Sequence, residues 1–169
     1  MEKIIAIAIL VVCSAYFSAT ETAFTSLNRI RIKNLANDGD RKAKEVQDLS
    51  ERYDSLLSTI LVGNNIVNIA MSSIATVLFM ELYPVYGATI ATAVVTVIVL
   101  IFGEISPKSL AKESPEKFAM FSAPIIKALM VILAPVNFLF SLWKKLLAKL
   151  SRKFACRSFN MIFLFNSEV

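Results

Sequence analysis

The chain has 169 residues, of which 56% are hydrophobic and 18% charged, and its mean hydropathy is +0.64. A soluble domain of this size is far less apolar, so the composition indicates a small polytopic membrane domain. The net charge of +5 comes from Lys and Arg residues between apolar runs, without interleaved aromatic residues, and this favours membrane orientation over nucleic-acid binding. The absence of His, of paired acids and of a nucleophile beside a base argues against an intramembrane enzyme.

The first apolar run predicts a membrane span over residues 4–27. A signal peptide is the alternative, because Lys3 precedes a short apolar region that ends in small residues. We favour a retained helix, since apolar residues resume at Ala23 and bring the run to the roughly 20 residues that a span needs. Polar residues at helical spacing share one face of this helix: Ser18, Glu21, Thr22 and Thr25. Such a stripe is expected to face protein or a water-filled cavity.

A charged segment, residues 28–54, separates the first two predicted spans. Gly39 and Asp40 predict a turn between two short helices, with Gly39 ending the first helix and Asp40 capping the second. The basic excess is strongest directly after the first span. The positive-inside rule therefore places this segment in the cytoplasm and the N-terminus outside.

The second predicted span, residues 56–80, has amides in its middle. Asn64, Asn65 and Asn68 lie beside Gly63, and the spacing of Asn64 and Asn68 lets their side-chain oxygens converge. One Asn in a membrane helix usually joins two helices, a contribution of about 1 kcal/mol. Three amides beside a glycine exceed that need. The loop after this span has no Lys or Arg and is predicted to lie outside.

The third predicted span covers residues 88–105 and carries a row of small residues at i, i+4 and i+8: Ala88, Thr92 and Thr96. This row suits close helix contact and a dimer seam.

The end of the third span combines an acid, a glycine and a proline. If the helix continues through Pro107, the Gly103 carbonyl loses its helical partner and lies beside the Glu104 carboxylate. Hard cations such as Mg²⁺, Ca²⁺ or Na⁺ prefer such oxygen clusters. The alternative is that Glu104 lies at the water interface and pairs with Lys108 at i+4, and that Pro107 ends the helix.

A basic, apolar segment follows, and we predict a juxtamembrane belt helix over residues 115–150, which lies along the cytoplasmic interface or dips into the membrane and returns. Pro115 is expected in the first turn of a helix. Because both flanks of the segment are basic, a single crossing would break the positive-inside rule. The expected fold is thus an all-α membrane protein with three transmembrane helices, short cytoplasmic helices and a belt. Residues 155–169 fit no element and are assigned no function.

Three motifs, one per predicted span, together resemble the signature of the transmembrane domain of the cyclin M and CorC magnesium transporters. They are Ser18–Ala23, Gly63–Asn68 and Gly103–Lys108, and their order and spacing match the family over roughly residues 1–154. These residues are therefore identified as a transmembrane ion-transport domain.

The resemblance implies a homodimer in the lipid bilayer that exports Mg²⁺ in exchange for Na⁺ and holds a largely dehydrated Mg²⁺ at mid-membrane. Its ion ligands correspond to Ser18, Asn64, Asn68 and Glu104, and the residue pattern adds the Gly103 carbonyl. The remaining motif residues are expected to orient these ligands or to pack helices: Glu21, Thr22, Asn65, Pro107 and Lys108. Family members continue into cytosolic ATP-binding CBS domains, which are expected in the full-length protein and are absent from this chain.

A second function remains open. In it, the domain is a membrane scaffold for cytosolic regulatory domains, and its polar residues only hold helices together. The two hypotheses differ in whether the oxygens converge on an ion.

Overall fold

The computed structural model describes residues 1–136, 138–139 and 142–143, and within these ranges it contains helices and no strand. The predicted all-α class is confirmed. A π-helical segment, Val99–Ile105, joins two of the helices. In chain order the helices are α1 (Glu2–Ser26), α2 (Arg29–Asn37), α3 (Arg41–Glu51), α4 (Tyr53–Leu82), α5 (Gly87–Ile98), α6 (Ser106–Glu113) and α7 (Pro115–Ile132). The tail over residues 155–169 lies outside the described residues, as does the predicted belt beyond residue 143.

Among the residues that the structure describes, three helical stretches are long and apolar enough to cross a membrane: Glu2–Ser26, Tyr53–Leu82 and the continuous stretch Gly87–Glu113. The shortest has 25 residues and extends about 37 Å at 1.5 Å per residue, which exceeds the roughly 30 Å of a bilayer's hydrocarbon core. Over the described part of the chain the predicted number of spans is confirmed, and α7 is not among them.

The third span continues to Glu113, past Pro107, instead of ending at the proline. Pro107 has no N–H, and its ring excludes the Gly103 carbonyl from its ordinary α-helical position. The chain widens into π-helical register before the proline, where the Ser106 N–H donates to the Ile101 carbonyl five residues back. Such insertions often lie at functional sites, and this one contains Gly103 and the acid that follows it.

Helix α1 is central and packs against α4, α6 and the π-helical segment. The close approach of α1 and α4 depends on Gly63, because a Cβ at this position would lie 2.6 Å from two ring carbons of Phe17. Phe17 is buried in a cluster with the small α1 residues Ala19 and Ala23. The backbones of α1 and α4 therefore approach closely at the level of their polar residues.

Helices α2, α3 and α7 form what we call the helix-end region. Asn28 accepts hydrogen bonds from the first N–H groups of α2, and Asp40 does the same for α3. Gly39 has a φ of +95° and makes the turn between the two helices. This confirms the predicted roles of Gly39 and Asp40, since a positive φ favours glycine.

Helix α7 begins at Pro115, as predicted. Its small and apolar residues pack in one cluster with residues of α1, α2 and α3. Two ion pairs join it to α2 and α3. The buried residues are Ala119, Ser122, Ala123 and Ile126. The ion pairs are Arg31–Glu116 and Lys127–Glu45, each with a nitrogen–oxygen distance of 4.0 Å.

Candidate functional site

Ser14 of α1 is fully buried and brings two amides of α4 together. Its Oγ lies 3.1 Å from Asn64 Oδ1 and 2.9 Å from Asn68 Oδ1. Asn64 and Asn68 are one helical turn apart, so both side chains reach the same side of α4. A serine hydroxyl has one hydrogen to donate. Three oxygens therefore converge here with a single hydrogen among them.

Gly103 brings the third span to the same hydroxyl. It is buried, and a Cβ at this position would lie 3.1 Å from Ser14 Oγ. The glycine thus allows the backbone of the π-helical segment to approach the Ser14 hydroxyl closely. Of the predicted site residues, the structure brings Asn64, Asn68 and Gly103 together around Ser14, and each of the three spans contributes to this cluster.

Ser18 lies one turn after Ser14 on α1 and is only 1% exposed. Its Oγ has no hydrogen-bond partner among the described residues. Two other buried hydroxyls bond to a carbonyl of the preceding turn, Thr20 to that of Tyr16 and Ser122 to that of Phe118. An unpaired buried hydroxyl costs about 1–3 kcal/mol and calls for a physical explanation.

Glu104 directly follows Gly103 and is partly buried. It forms no ion pair or hydrogen bond within the part of the chain that the structure describes. The predicted alternative, a pair with Lys108, is not formed. Lys108 Nζ instead lies 3.5 Å from Glu21 Oε2, across the contact between α1 and α6. A tertiary contact thus takes the place of the expected contact within the helix.

Three further predicted residues are Thr22, Pro107 and Asn65. Thr22 and Pro107 are buried at helix contacts. Asn65 is exposed, and its Nδ2 donates to the Leu61 carbonyl of its own helix at 2.9 Å, so it takes no part in the cluster. Across the described residues, no three His, Cys, Asp or Glu side chains come together.

Ser14 is the one residue of this cluster that was not predicted from the sequence. The signal was present, because Ser14 lies four residues before Ser18 and extends the predicted polar stripe of α1 by one turn. The stripe does not indicate how α1 and α4 are positioned along their axes relative to each other. It therefore does not show which residue of α1 lies beside the amides of α4.

Residues 4–159 match the family model described as the cyclin M transmembrane N-terminal domain. A UPF0053 protein of Haemophilus influenzae is 43% identical over 84% of this chain and 34% of its own length. The UPF0053 inner membrane protein YfjD of Escherichia coli is 41% identical over 81% of this chain and 32% of its own. A chloroplastic DUF21 domain-containing protein of Arabidopsis thaliana is 32% identical over 80% of this chain and 21% of its own.

The chain spans about a third of the length of the first two relatives. Its three apolar helices and the family match describe a multi-pass membrane protein. Since the match covers nearly the whole chain, the protein belongs to the cyclin M family and contains the family's transmembrane N-terminal domain.

Proposed function

We propose that this domain transports Mg²⁺ across the membrane, as a homodimer and in exchange for Na⁺. The Mg²⁺ ion is the transported substrate. The family membership supports membrane transport in general, and the oxygen cluster supports a hard divalent cation. The Na⁺ coupling, the export direction and the dimer enter the proposal from the family resemblance.

The observation that carries the proposal is the convergence of the Ser14, Asn64 and Asn68 oxygens. Oxygens are the ligands that Mg²⁺ and Ca²⁺ prefer. An octahedral shell with Mg–O distances of about 2.1 Å has neighbouring oxygens about 3.0 Å apart. The separations from Ser14 Oγ to the two amide oxygens are 3.1 and 2.9 Å. The two separations therefore match those of neighbouring ligands of a Mg²⁺ ion, toward which the Ser14 oxygen turns a lone pair while the hydroxyl keeps its hydrogen.

The residues around the cluster add what a desolvated divalent cation requires. The buried Ser18 hydroxyl is unpaired among the described residues and offers a fourth oxygen. Glu104 offers a carboxylate directly after the backbone of Gly103, which lies against Ser14. One carboxylate leaves a bound Mg²⁺ with a net charge near +1. Selectivity then depends on the number and spacing of ligands more than on charge.

The three asparagines of α4 give a matched test of the proposal. We expect Asn64→Ala and Asn68→Ala to weaken Mg²⁺ binding by about tenfold each, because each removes one oxygen ligand. Asn65→Ala is the control, since this residue is of the same type on the same helix but bonds only to Leu61. The measurement is calorimetric titration of Mg²⁺ into the domain in lipid nanodiscs. Equal effects of all three substitutions, or none, would contradict the site.

The alternative function is a membrane scaffold without transport. The bonds from Ser14 to the two amides favour it, because interhelical hydrogen bonds of this kind contribute about 1 kcal/mol to helix association. On this hypothesis Asn64→Ala and Asn68→Ala lower the melting temperature, and the wild-type domain binds no Mg²⁺. Thermal melts with and without Mg²⁺ therefore separate the two functions.

Orientation and assembly complete the proposal. The N-terminus lies outside and the helix-end region in the cytoplasm, because that region holds the basic excess. A cysteine at position 84 should be labelled only from outside.

The dimer seam uses Ala88, Thr92 and Thr96 of α5, all exposed in this chain. Crosslinking in lipid should depend on the α5 row and fail when its residues are replaced by leucine.

A further inference from the structure

The Glu21–Lys108 pair has a distinctive position relative to the candidate site. Glu21 lies three residues after Ser18 on α1, and Lys108 lies four residues after Glu104. The two side chains are about half exposed, at 44% and 40%, and their charged atoms are 3.5 Å apart. The pair thus joins the helix that carries the two serines to the helix that follows the π-helical segment.

Two carboxylates are candidate partners for the Lys108 ammonium: Glu104, four residues before it on the same helical stretch, and Glu21 on α1. A Glu followed by a Lys at i+4 ordinarily forms a pair on a helix. An unpaired acid next to an apolar span is costly, which strengthens the expectation of a Glu104–Lys108 pair. The structure shows the other pairing, and Glu104 is left without an ion pair among the described residues. In the structure, Lys108 therefore neutralises Glu21 and not Glu104.

We propose that Glu21 is a positioning residue that holds the Lys108 ammonium away from Glu104, so that the Glu104 carboxylate is available to a divalent cation. Without Glu21, the Lys108 ammonium pairs with Glu104, which lies on the same helical stretch. It then competes with Mg²⁺ for the Glu104 carboxylate. The inference rests on the proposed function, because it requires Glu104 to be a cation ligand. A merely structural pair would fasten α1 to α6 and leave cation binding untouched.

Two substitutions that neutralise the pair should act in opposite ways on Mg²⁺ binding. We expect Glu21→Gln to weaken Mg²⁺ affinity by about tenfold, because the freed ammonium competes at short range. Lys108→Gln removes the competitor, so its affinity should equal or exceed that of the wild type. The double variant Glu21→Gln/Lys108→Gln should match Lys108→Gln, since Glu21 has nothing left to hold.

The experiment is a Mg²⁺ titration by calorimetry of the whole chain in phosphatidylethanolamine and phosphatidylglycerol nanodiscs, with thermal melts of each variant. Glu113→Gln and Lys112→Gln are the charge-matched controls, because both residues are exposed on α6 near Lys108. Both controls should bind as the wild type does. Where Glu21→Gln is too unstable to titrate, the double variant and Lys108→Gln still decide. A role for Glu21 as a ligand weakens binding in that background too.

Each outcome has one meaning. Rescue of Glu21→Gln by Lys108→Gln supports the inference. Wild-type binding in Glu21→Gln overturns it while leaving the proposed function intact, provided that Glu104→Gln loses binding. A double variant as weak as Glu21→Gln also overturns it. Absence of Mg²⁺ binding in the wild type defeats the proposed function itself, and the inference with it.

Discussion

Polar groups have different partners in two regions of the molecule. One is the helix-end region, and the other is the middle of the bundle, where α1, α4 and the π-helical segment meet. In the helix-end region polar side chains have local partners: Asn28 and Asp40 cap helices, and Ser122 bonds to the preceding turn. In the middle of the bundle Ser14 is shared by two amide oxygens, while Ser18 and Glu104 have no partner among the described residues. Polar groups that stabilise a fold are paired within it. The unpaired ones in the middle of the bundle are those that we assign to a cation.

The largest effect on the fold should come from closing the gap at Gly63. Gly63→Leu forces Phe17 to move, because even a Cβ would lie 2.6 Å from its ring. We expect a loss of about 1–3 kcal/mol of unfolding free energy, the usual cost of overpacking. Mg²⁺ affinity should fall as well, since α4 carries Asn64 away from Ser14. Thermal melts and Mg²⁺ titration measure the two losses.

A compensating change tests the packing explanation. Gly63→Ala adds only the Cβ, and Phe17→Leu makes room for it by removing the ring. The double variant should be more stable than Gly63→Ala alone. If Phe17→Leu gives no rescue, the contact between these two residues does not set the distance between α1 and α4.

A smaller effect, with opposite signs in the two regions, is expected from removing serine hydroxyls. Ser18→Ala should leave the unfolding free energy unchanged or raise it by up to about 1 kcal/mol, because its hydroxyl is buried and unpaired. Mg²⁺ affinity should nevertheless fall. Ser122→Ala in the helix-end region loses a bond to Phe118 and should cost about 0.5–1.5 kcal/mol without changing Mg²⁺ affinity. Identical behaviour of the two variants would remove the distinction between the regions.

The helix count, the polar face of α1 and the converging amides of α4 follow from periodicity, which is a local property of the sequence. The positions of the helices along their axes relative to one another do not follow from periodicity. Ser14 was therefore not predicted as a site residue, although it extends the polar stripe of α1. Asn65 could have been separated from Asn64, because neighbours at i and i+1 do not share a helix face. The i+4 rule favoured Lys108 as the partner of Glu104, but the contact with Glu21 on another helix replaced it.

The π-helical segment is the second feature that the sequence left open. Pro107 is compatible with a helix that ends at the proline and with one that continues past it, and the sequence agrees with both. Packing of α6 against α1 favours continuation. The wider register before the proline then accommodates its missing N–H.

We propose that the Glu104 carboxylate is a ligand of the transported cation. The most direct measurement is a calorimetric Mg²⁺ titration of Glu104→Gln beside the wild type, with melts of both. Glutamine keeps the size and one oxygen but removes the charge that offsets desolvation of the ion. We expect affinity to fall on the order of a hundredfold, with little change in melting temperature. Unchanged Mg²⁺ binding by Glu104→Gln would contradict the assignment.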